Sequence, residues 1–336
     1  MRASASVIHV SRRPPTPSPV YDTYWRFAAY RQEVYFRRLT GEKPPWTDDP
    51  VIRAHRFTNA YRASDRVSQH LIREVIQVPG MSVQDVVLRV LLFKVFNRID
   101  TWRTIEAAVG TVSTTSFDTA VLDRALNLAM DSGGRVYSAA YIMPVAAAYA
   151  GGRKHSSHLR LLAAMLANDL PERIADAGRL SDVYKLLLGY SGIGPFLAFQ
   201  YAIDLNYTDV VRFDEMDFVV PGPGCLSGLR KCFSDRGDYT DEELIRWVTD
   251  RQEAEFDARS ITFRTLFGRR LHLIDCQNLF CEVDKYARVA HPEAGGLAGR
   301  TRIKQKYTPL GALPTPVFPA KWGINGQVDT VLGGRA

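Results

Sequence analysis

A first group of polar side chains lies within seven consecutive residues and has the chemistry to read a nucleobase edge and hold a phosphate. It comprises Asn59, Tyr61, Arg62 and Asp65. An amide, a phenol, a guanidinium and a carboxylate together offer hydrogen-bond donors, acceptors and both signs of charge. The same residues also suit helix capping by Ser64 or Asp65, with an arginine left on the surface. The group is therefore a candidate pocket wall.

A second polar group recurs with helical spacing nearer the other end of the chain. Its members are Asp275, Gln277, Asn278, Glu282 and Lys285. Positions 275, 278, 282 and 285 fall on one face of a predicted helix that is otherwise flanked by apolar residues. Buried charges need partners, so this face predicts polar groups that line a cleft. An internal salt-bridge network or a solvated stripe explains the same pattern equally well.

The strongest local motif is a glycine-rich turn between two predicted helices, formed by Ser191, Gly192, Ile193 and Gly194. Pro195 follows at the first position of the next helix, where its missing N–H has no cost. The glycines let the backbone approach a ligand closely, and free amides at the helix start favour an anion such as phosphate. This arrangement is typical of a helix-hairpin-helix element, which holds a DNA phosphate without reading sequence. A plain turn between two core helices is the alternative.

The elements that must position these groups are predicted to be helices. Capping-box signals at Ser82 and Thr240 mark two helix starts, and apolar residues recur at helical spacing elsewhere. We predict helices over residues 24–39, 65–76, 82–96, 101–108, 118–129, 139–149 with a kink at Pro144, 157–168, 180–203 around the glycine turn, and 240–258. Because few stretches alternate with period two, the predicted fold class is all-α, with two helical lobes around a cleft.

Composition indicates a basic globular protein. Of the 336 residues, 46% are hydrophobic and 24% charged, which predicts a packed core, and the net charge of +7 favours a polyanionic partner. The four cysteines lack the spacing of a disulfide framework or a metal site and indicate a reducing cytoplasm. The sequence shows no apolar run of ~18 residues and no secretory signal, so we expect no membrane association.

The glycine turn, followed about one helix later by acidic residues, resembles the helix-hairpin-helix DNA glycosylase superfamily. In that superfamily a catalytic aspartate follows the hairpin, which implies Asp217 as the catalytic residue and Asp214 as the second choice. A carboxylate in this role stabilises positive charge on the sugar while the N-glycosidic bond breaks. Phe196 stands where lyase members carry lysine, so the resemblance implies a monofunctional enzyme.

Three further segments, residues 57–66, 92–98 and 274–286, narrow the resemblance. They look like the α-glutamyl/putrescinyl-thymine pyrophosphorylase-like branch, and the likeness extends over residues 24–310. Within that branch the chain is similar to phage-defence DNA glycosylases that act on glucosylated 5-hydroxymethylcytosine. The resemblance adds Asn97 to the candidate pocket residues.

The sequence therefore predicts a DNA N-glycosylase that flips out a hypermodified pyrimidine, such as α-glucosyl-5-hydroxymethylcytosine, and excises it hydrolytically from phage DNA in antiviral defence. Its product is an abasic site. The alternative is a transferase on the same fold that displaces pyrophosphate from activated 5-hydroxymethyluracil to install an amine or amino acid. A DNA-binding module without catalysis is a third class. We expect a cytoplasmic monomer that acts on modified double-stranded DNA without a cofactor or metal.

Residues outside the candidate pocket are predicted to contact the DNA backbone. They are Ser191, Gly192, Ile193, Gly194, Lys231, Arg302, Lys304 and Lys306. A solvated basic loop explains the stretch 302–306 equally well. We divide the chain into an N-terminal arm over residues 1–20, disordered because of its proline density, a helical domain over 21–312 and a C-terminal tail over 313–336.

Overall fold

Helices make up most of the chain in the computed structural model, which describes residues 12–295, 300–309 and 311–333. Those ranges contain the α-helices α1 Pro19–Leu39, α2 Pro50–Ala54, α3 Arg66–His70, α4 Val83–Phe96, α5 Ile99–Val109, α6 Thr119–Asp131, α7 Lys154–Ala167, α8 Leu170–Ala175, α9 Leu180–Leu188, α10 Pro195–Leu205, α11 Pro223–Cys232, α12 Asp241–Asp250, α13 Gln252–Ala258, α14 Leu273–Ala290 and α15 Asn325–Gly333. A π-helical turn, Leu71–Ile76, continues α3, and 3-10 turns span Arg62–Ser64, Ala147–Tyr149 and Ala320–Trp322. The prediction of an all-α protein is confirmed.

Two helix starts follow the capping signals of the sequence. The Ser82 hydroxyl accepts from the Asp85 amide, and the Asp85 carboxylate accepts from the Ser82 amide, so the predicted capping box opens α4. Thr240 and Glu243 make the same exchange at the start of α12. Both boxes satisfy amides that have no partner within the first helical turn. The predicted helix over 240–258 is interrupted at Arg251, which separates α12 from α13.

Helix α14 is a central element of the core and packs against α1, α11 and α12. Its buried residue Phe280 contacts Tyr24 of α1, with ring centroids 4.5 Å apart. Helix α11 approaches so closely that a Cβ at Gly228 would collide with the carbonyl oxygen of Phe280. The polar residues predicted on α14 are therefore carried by a helix that is otherwise buried.

The predicted helix over residues 139–149 is wrong. This stretch is a loop whose regular structure is the 3-10 turn Ala147–Tyr149. Pro144 has no N–H to donate, and its ring blocks the preceding turn of a helix. Its carbonyl oxygen instead bonds to Nε2 of His158 on α7 at 2.7 Å. The segment is thus held by a side chain rather than by helical hydrogen bonds.

The described part of the predicted N-terminal arm packs against the helical body. Strand β1, Thr16–Pro17, pairs in antiparallel fashion with β2, Phe233–Asp235. The amide of Ser18 donates to the carbonyl of Cys232 at 2.8 Å, immediately before α1 begins. The remainder of the predicted arm, residues 1–11, lies outside the described residues.

The described part of the predicted C-terminal tail also contacts the body. The Gln69 side chain accepts from the amide of Val317 at 2.9 Å and donates to its carbonyl at 3.0 Å. Phe318 is buried, and Trp322 donates from Nε1 to the Glu215 carboxylate at 3.0 Å. Residues 334–336 of the predicted tail lie outside the described residues.

The cysteines, the potential metal ligands and the helix hydropathy give no sign of a disulfide, a metal centre or a membrane span among the described residues. The four cysteines are free thiols, and Cys225, Cys232 and Cys276 are buried. Within the described ranges, no three His, Cys, Asp or Glu side chains converge as metal ligands would. Among the described helices, none combines the length and the apolarity that a membrane span requires.

Candidate functional site

The glycine-rich turn joins α9 to α10, as the sequence predicts. Gly192 has a φ of +86°, a left-handed conformation that glycine adopts without strain. Ile193 is buried and fixes the turn to the core, and Pro195 is the first residue of α10. Among the described residues, no side chain caps α10, and no neighbouring group lies within 4 Å of a Cβ built on Gly194. The start of α10 at Gly194 is therefore open and uncapped, and a helix start of this kind can bind an anion.

A loop formed by residues 138–150, called here the 138–150 loop, crosses this hairpin. The Cα of Ala146 lies 3.2 Å from where a Cβ on Gly192 would be. The amide of Ala148 donates to Oγ of Ser191, also at 3.2 Å. The loop and the hairpin thus form one continuous surface.

Helix α10 also carries a completely buried carboxylate, Asp204. Arg62 donates two hydrogen bonds to it, from Nη1 to Oδ1 at 2.7 Å and from Nη2 to Oδ2 at 2.9 Å. The ammonium of Lys94 on α4 lies 3.0 Å from Oδ2. The exposed fraction of the side chain is 0% for Asp204, 3% for Arg62 and 4% for Lys94. We call these three residues the charged cluster.

Polar and aromatic side chains surround the charged cluster. Gln200 accepts from the guanidinium Nε at 3.0 Å, and the Tyr207 hydroxyl lies 3.2 Å from the guanidinium Nη1. Asn97 accepts from the lysine ammonium at 2.8 Å. The ring of Tyr141, from the 138–150 loop, covers that ammonium, with Nζ 4.6 Å from the ring centroid. Amides, cations and aromatic faces therefore meet at one place.

Burial and opposite charge set the protonation of the charged cluster. Burial acts to raise the pKa of Asp204, but the positive charges of Arg62 and Lys94 outweigh it and hold that pKa below its usual value. Burial lowers the pKa of Lys94 to about 8, against the attraction of Asp204. With both cations protonated, the cluster has two positive charges and one negative charge. It therefore favours an electron-rich or anionic ligand.

The polar face of α14 supports the segment that carries Arg62. Asp275 Oδ1 accepts from the amide of Arg62 at 2.9 Å, and Glu282 Oε2 accepts from the amide of Thr58 at 3.0 Å. Asn278 donates to the Thr58 hydroxyl at 3.0 Å. The two polar groups singled out in the sequence are therefore in contact. They form an internal hydrogen-bond network. For the polar face of α14, such a network was the alternative to a cleft lining.

Two carboxylates of this network titrate near neutral pH. Burial raises the pKa of Asp65 to about 7, and burial also raises the pKa of Asp275 to about 7. Asp65 Oδ1 accepts from the amide of Asn59 at 2.8 Å, and the Asn59 side chain donates to the carbonyl of Ser64 at 2.8 Å. These bonds fix the turn that leads into α3, so the turn is sensitive to protonation.

Comparison with known proteins decides the family of this chain. The family model for the helical domain of 5-hmdU DNA kinase matches residues 18–296. The chain belongs to this family. One curated relative is the 5-hmdU DNA kinase of Bacillus phage SP10, which is 25% identical over 309 residues. The match covers 86% of this chain and 48% of that protein, so the chain spans about half the length of the curated relative. No solved structure matches the chain.

These matches overturn the predicted enzyme class. A kinase transfers a phosphoryl group to an acceptor and breaks no N-glycosidic bond, so the prediction of a DNA N-glycosylase with hydrolase activity is wrong. The alternative of a transferase that displaces pyrophosphate and installs an amine is overturned by the same matches. The broader expectation of a helical, DNA-modifying enzyme family is confirmed.

The two aspartates predicted as catalytic lie at the surface. Asp217 Oδ2 accepts from the amide of Ser181 on α9 at 3.2 Å, and Asp214 Oδ1 accepts from the amide of Met216 at 2.8 Å. Both aspartates are exposed. The role that the glycosylase resemblance implied for them is withdrawn together with the glycosylase prediction.

The remaining predicted pocket residues of the helical domain are divided between the charged cluster and other contacts. Arg62 belongs to the cluster, and Asn97 bonds to it. Tyr61 donates to a backbone carbonyl at 2.6 Å, and Gln277 donates to a neighbouring thiol at 3.6 Å. Lys285 forms an ion pair with the Glu282 carboxylate at 2.6 Å. The structure thus brings two of these five residues to the cluster.

Lys231, predicted to contact the DNA backbone, is buried in the helical domain. Its Nζ lies 3.1 Å from Oδ1 of Asp284 and donates to the backbone carbonyl of the same residue at 3.1 Å. A lysine in this position cannot reach a phosphate without breaking a buried ion pair. The assignment of Lys231 to a DNA contact is therefore corrected to a core ion pair.

Three further predicted backbone contacts, Arg302, Lys304 and Lys306, lie on an exposed strip. An antiparallel bridge between His55 and Lys306 joins two distant segments. We call the exposed basic residues of these segments the basic strip: Arg53, Arg56, Arg302, Lys304 and Lys306. The bridge therefore adds two arginines to the three basic residues that the sequence singled out.

The sequence did contain a signal for the residues that were missed. Asp204 stands among apolar residues of α10, and Lys94 stands among apolar residues of α4. A charge in a buried helix requires a partner, so each position called for one. The partner itself was not readable, because Asp204 lies 142 positions after Arg62 in the sequence.

Proposed function

We propose that this chain binds DNA containing 5-hydroxymethyl-2′-deoxyuridine and presents the hydroxymethyl group of the flipped base for phosphorylation. The charged cluster would hold the base, and the hairpin would hold the DNA backbone. The observation that carries the proposal is the position of both features on one helix, α10, in a chain of the 5-hmdU DNA kinase helical family.

The hairpin end of α10 supports a phosphate contact. Gly194 leaves the helix start open, and the amides of the first turn give this end a partial positive charge. Asp204 lies further along the same helix, ~13 Å from its start at 1.5 Å per residue. One helix can therefore hold a backbone phosphate at its start and carry, on its buried face, a residue of the cluster that orients a flipped base.

The surroundings of the charged cluster match the chemistry of a pyrimidine. Two carbonyl oxygens and one N–H form the pairing edge of a uracil, and the amides of Gln200 and Asn97 provide both acceptors and donors. Lys94 and Arg62 add donors for a carbonyl oxygen. Enzymes that act on a flipped base read it through such bonds and through aromatic stacking.

The charges of the cluster suit phosphoryl transfer to a hydroxyl group. In this proposal the ionised Asp204 accepts a hydrogen bond from the hydroxymethyl group, while Lys94 and Arg62 attract the incoming phosphoryl group. Phosphoryl transfer depends mainly on positioning and on neutralising charge, which are the two things that this arrangement supplies. No residue of this chain is proposed to bind the phosphoryl donor.

The fold type, the DNA-binding surface and the cellular location belong to the same proposal. We propose a helix-hairpin-helix fold of the DNA glycosylase type, with two lobes around a cleft, used here as a DNA-binding scaffold. Double-stranded DNA would lie along the hairpin and the basic strip, which includes Arg302, Lys304 and Lys306. A monomer in the reducing cytoplasm would keep the four thiols free.

Titration of fluorescent duplexes with the purified chain tests this function. The two duplexes differ in one base pair, 5-hmdU·A or T·A. We expect the wild type to bind the modified duplex at least about 10-fold more tightly, which corresponds to ~1.4 kcal/mol. Equal affinities for the two duplexes would contradict the proposal.

Two buried lysines provide a matched pair of variants for the same titration. Lys94→Met should abolish the preference for the modified base. Lys231→Met removes an equally buried lysine and its ion pair with Asp284, and should keep the preference. Thermal melting of both variants establishes that they are folded under the assay conditions. Loss of the preference in both would show that it depends on general stability and not on the cluster.

A further inference from the structure

Tyr141 fills a flat space between an aromatic ring and two cations. Its ring lies parallel to that of Phe196, with an angle of 10° and centroids 5.8 Å apart. The Lys94 ammonium is 4.6 Å and the Arg62 guanidinium carbon 5.9 Å from the Tyr141 ring centroid. Tyr141 thus borders both the hairpin helix and the charged cluster.

The backbone at Tyr141 is strained, and the residue that follows it is exposed. Tyr141 has a φ of +55°, in the left-handed region that a bulky residue rarely adopts and that costs roughly 1 kcal/mol. The next residue, Ile142, is 70% exposed. Side-chain contacts hold the 138–150 loop beyond this point, through His158 to the Pro144 carbonyl and through Ser191 to the Ala148 amide.

The opposite wall of this space lies on a helix and is closely packed. Phe196 lies in the first turn of α10, and a Cβ on Gly222 would come within 2.5 Å of its ring. The chain therefore requires glycine at 222 for Phe196 to occupy its position. Of the two stacked rings, the one on the loop is attached to the strained backbone.

We infer that the space now filled by the Tyr141 ring is the binding site of the flipped pyrimidine, and that Tyr141 is a plug that the base displaces. This inference rests on the proposed function. A pyrimidine stacked on Phe196 in place of Tyr141 would face Lys94 and Arg62, which would exchange cation–π contacts for hydrogen bonds to its carbonyl oxygens. Displacement would also release the left-handed conformation at Tyr141. The base gains access because the plug moves, while the helices that carry the charged cluster stay fixed.

A pair of variants distinguishes a plug from a permanent stacking wall. Tyr141→Ala should tighten binding of the 5-hmdU duplex by about 3- to 10-fold, because binding no longer has to displace the ring. Tyr149→Ala removes the same group from the same loop and should leave the affinity unchanged within about 2-fold. Weakened or unchanged binding by Tyr141→Ala would overturn the inference.

Hydrogen–deuterium exchange of the wild type provides a test that needs no variant. Amides of residues 139–145 should exchange faster with the 5-hmdU duplex than with the T duplex, because the plug leaves only when the base enters. Slower or equal exchange, in a protein that still prefers the 5-hmdU duplex, would overturn the plug and leave the proposed function standing. Absence of the binding preference would overturn both.

Discussion

Asp204 compensates two buried positive charges with a single carboxylate. We expect Asp204→Asn to lower the free energy of unfolding by about 3–5 kcal/mol, because Arg62 and Lys94 would remain buried without a negative partner. Urea denaturation measures this loss.

The control for this prediction is Asp100→Asn. Asp100 pairs with Arg98 at the surface, with 63% of the side chain exposed, so its removal should change the unfolding free energy by less than about 0.5 kcal/mol. If Asp204→Asn lowers the unfolding free energy by less than about 1 kcal/mol, the charged cluster is hydrated and not buried.

Asp65 gives the protein a pH dependence of defined sign. Its pKa of about 7 in the folded chain exceeds the unfolded value of about 3.9, so between these values the folded chain binds more protons. The contribution of Asp65 to the free energy of unfolding is fully present below pH ~4 and is lost as the pH rises through 7. Asp275 contributes with the same sign.

Asp65→Asn should therefore flatten the decline of unfolding free energy between pH 4 and 7 by up to about 1 kcal/mol per pH unit. The asparagine keeps the oxygen that accepts from the Asn59 amide. Chemical denaturation at a series of pH values is the measurement. An unchanged slope would show that Asp65 titrates at its ordinary pKa in the folded protein.

Individual residues were predictable where a local pattern limited the choices. Arg62 was singled out from its polar neighbours and Asn97 from the family resemblance alone, and both meet at the charged cluster. The helical face of α14 was recognised, but its carboxylates accept from backbone amides of the 58–62 segment, which no side-chain pattern reveals. Asp204 could be suspected of needing a partner, yet its identity depends on tertiary packing.

At the scale of elements, the hairpin was predictable because its determinants are local. A glycine at positive φ and a proline in the first helical turn define the connection between α9 and α10 from a few adjacent residues. The 138–150 loop was not, because its small apolar residues suit a helix and only Pro144 opposes one. Contacts from α7 and the hairpin determine its path.

Gly194→Val tests the hairpin as a phosphate-binding element. A Cβ at Gly194 meets no neighbour among the described residues, so the variant should fold, while its branched side chain covers the first amides of α10. We expect at least about 10-fold weaker binding to both the 5-hmdU and the T duplex, since a backbone contact is independent of sequence.

Gly326→Val is the matched control for the hairpin. Gly326 lies on α15, and the described residues leave its Cβ position open as well. Its DNA affinity should equal that of the wild type. If Gly194→Val also binds with wild-type affinity, the hairpin does not contact the backbone.

At the scale of the whole molecule, the net charge of +7 and the basic strip predict that backbone contacts contribute much of the affinity. The logarithm of the binding constant should fall linearly with the logarithm of salt concentration, by a slope of about 0.9 per phosphate contacted. The double variant Lys304→Gln, Lys306→Gln should reduce that slope by about 1–2. A flat dependence in the wild type would exclude a backbone-dominated interface.

The family of the chain, and not its charge or its hairpin, distinguishes between the two enzyme classes. Composition and the hairpin supported DNA as a partner, but they did not distinguish a glycosylase from a kinase, because a basic surface and a phosphate-binding turn suit both kinds of enzyme. The matches to 5-hmdU DNA kinase make that distinction. The charged cluster is the base site that we propose in place of Asp217 and Asp214.

Photo-cross-linking tests the position of the base most directly. A duplex with 5-iodo-2′-deoxyuridine at one site would be irradiated with the wild-type chain, and the attached peptides would be mapped by mass spectrometry. The iodine stands where the hydroxymethyl group would be, so we predict attachment at Phe196, which stacks on Tyr141, or at Tyr207, which contacts Arg62. Attachment confined to the basic strip or to the surface around Asp214 and Asp217 would contradict the assignment of the base to the cluster.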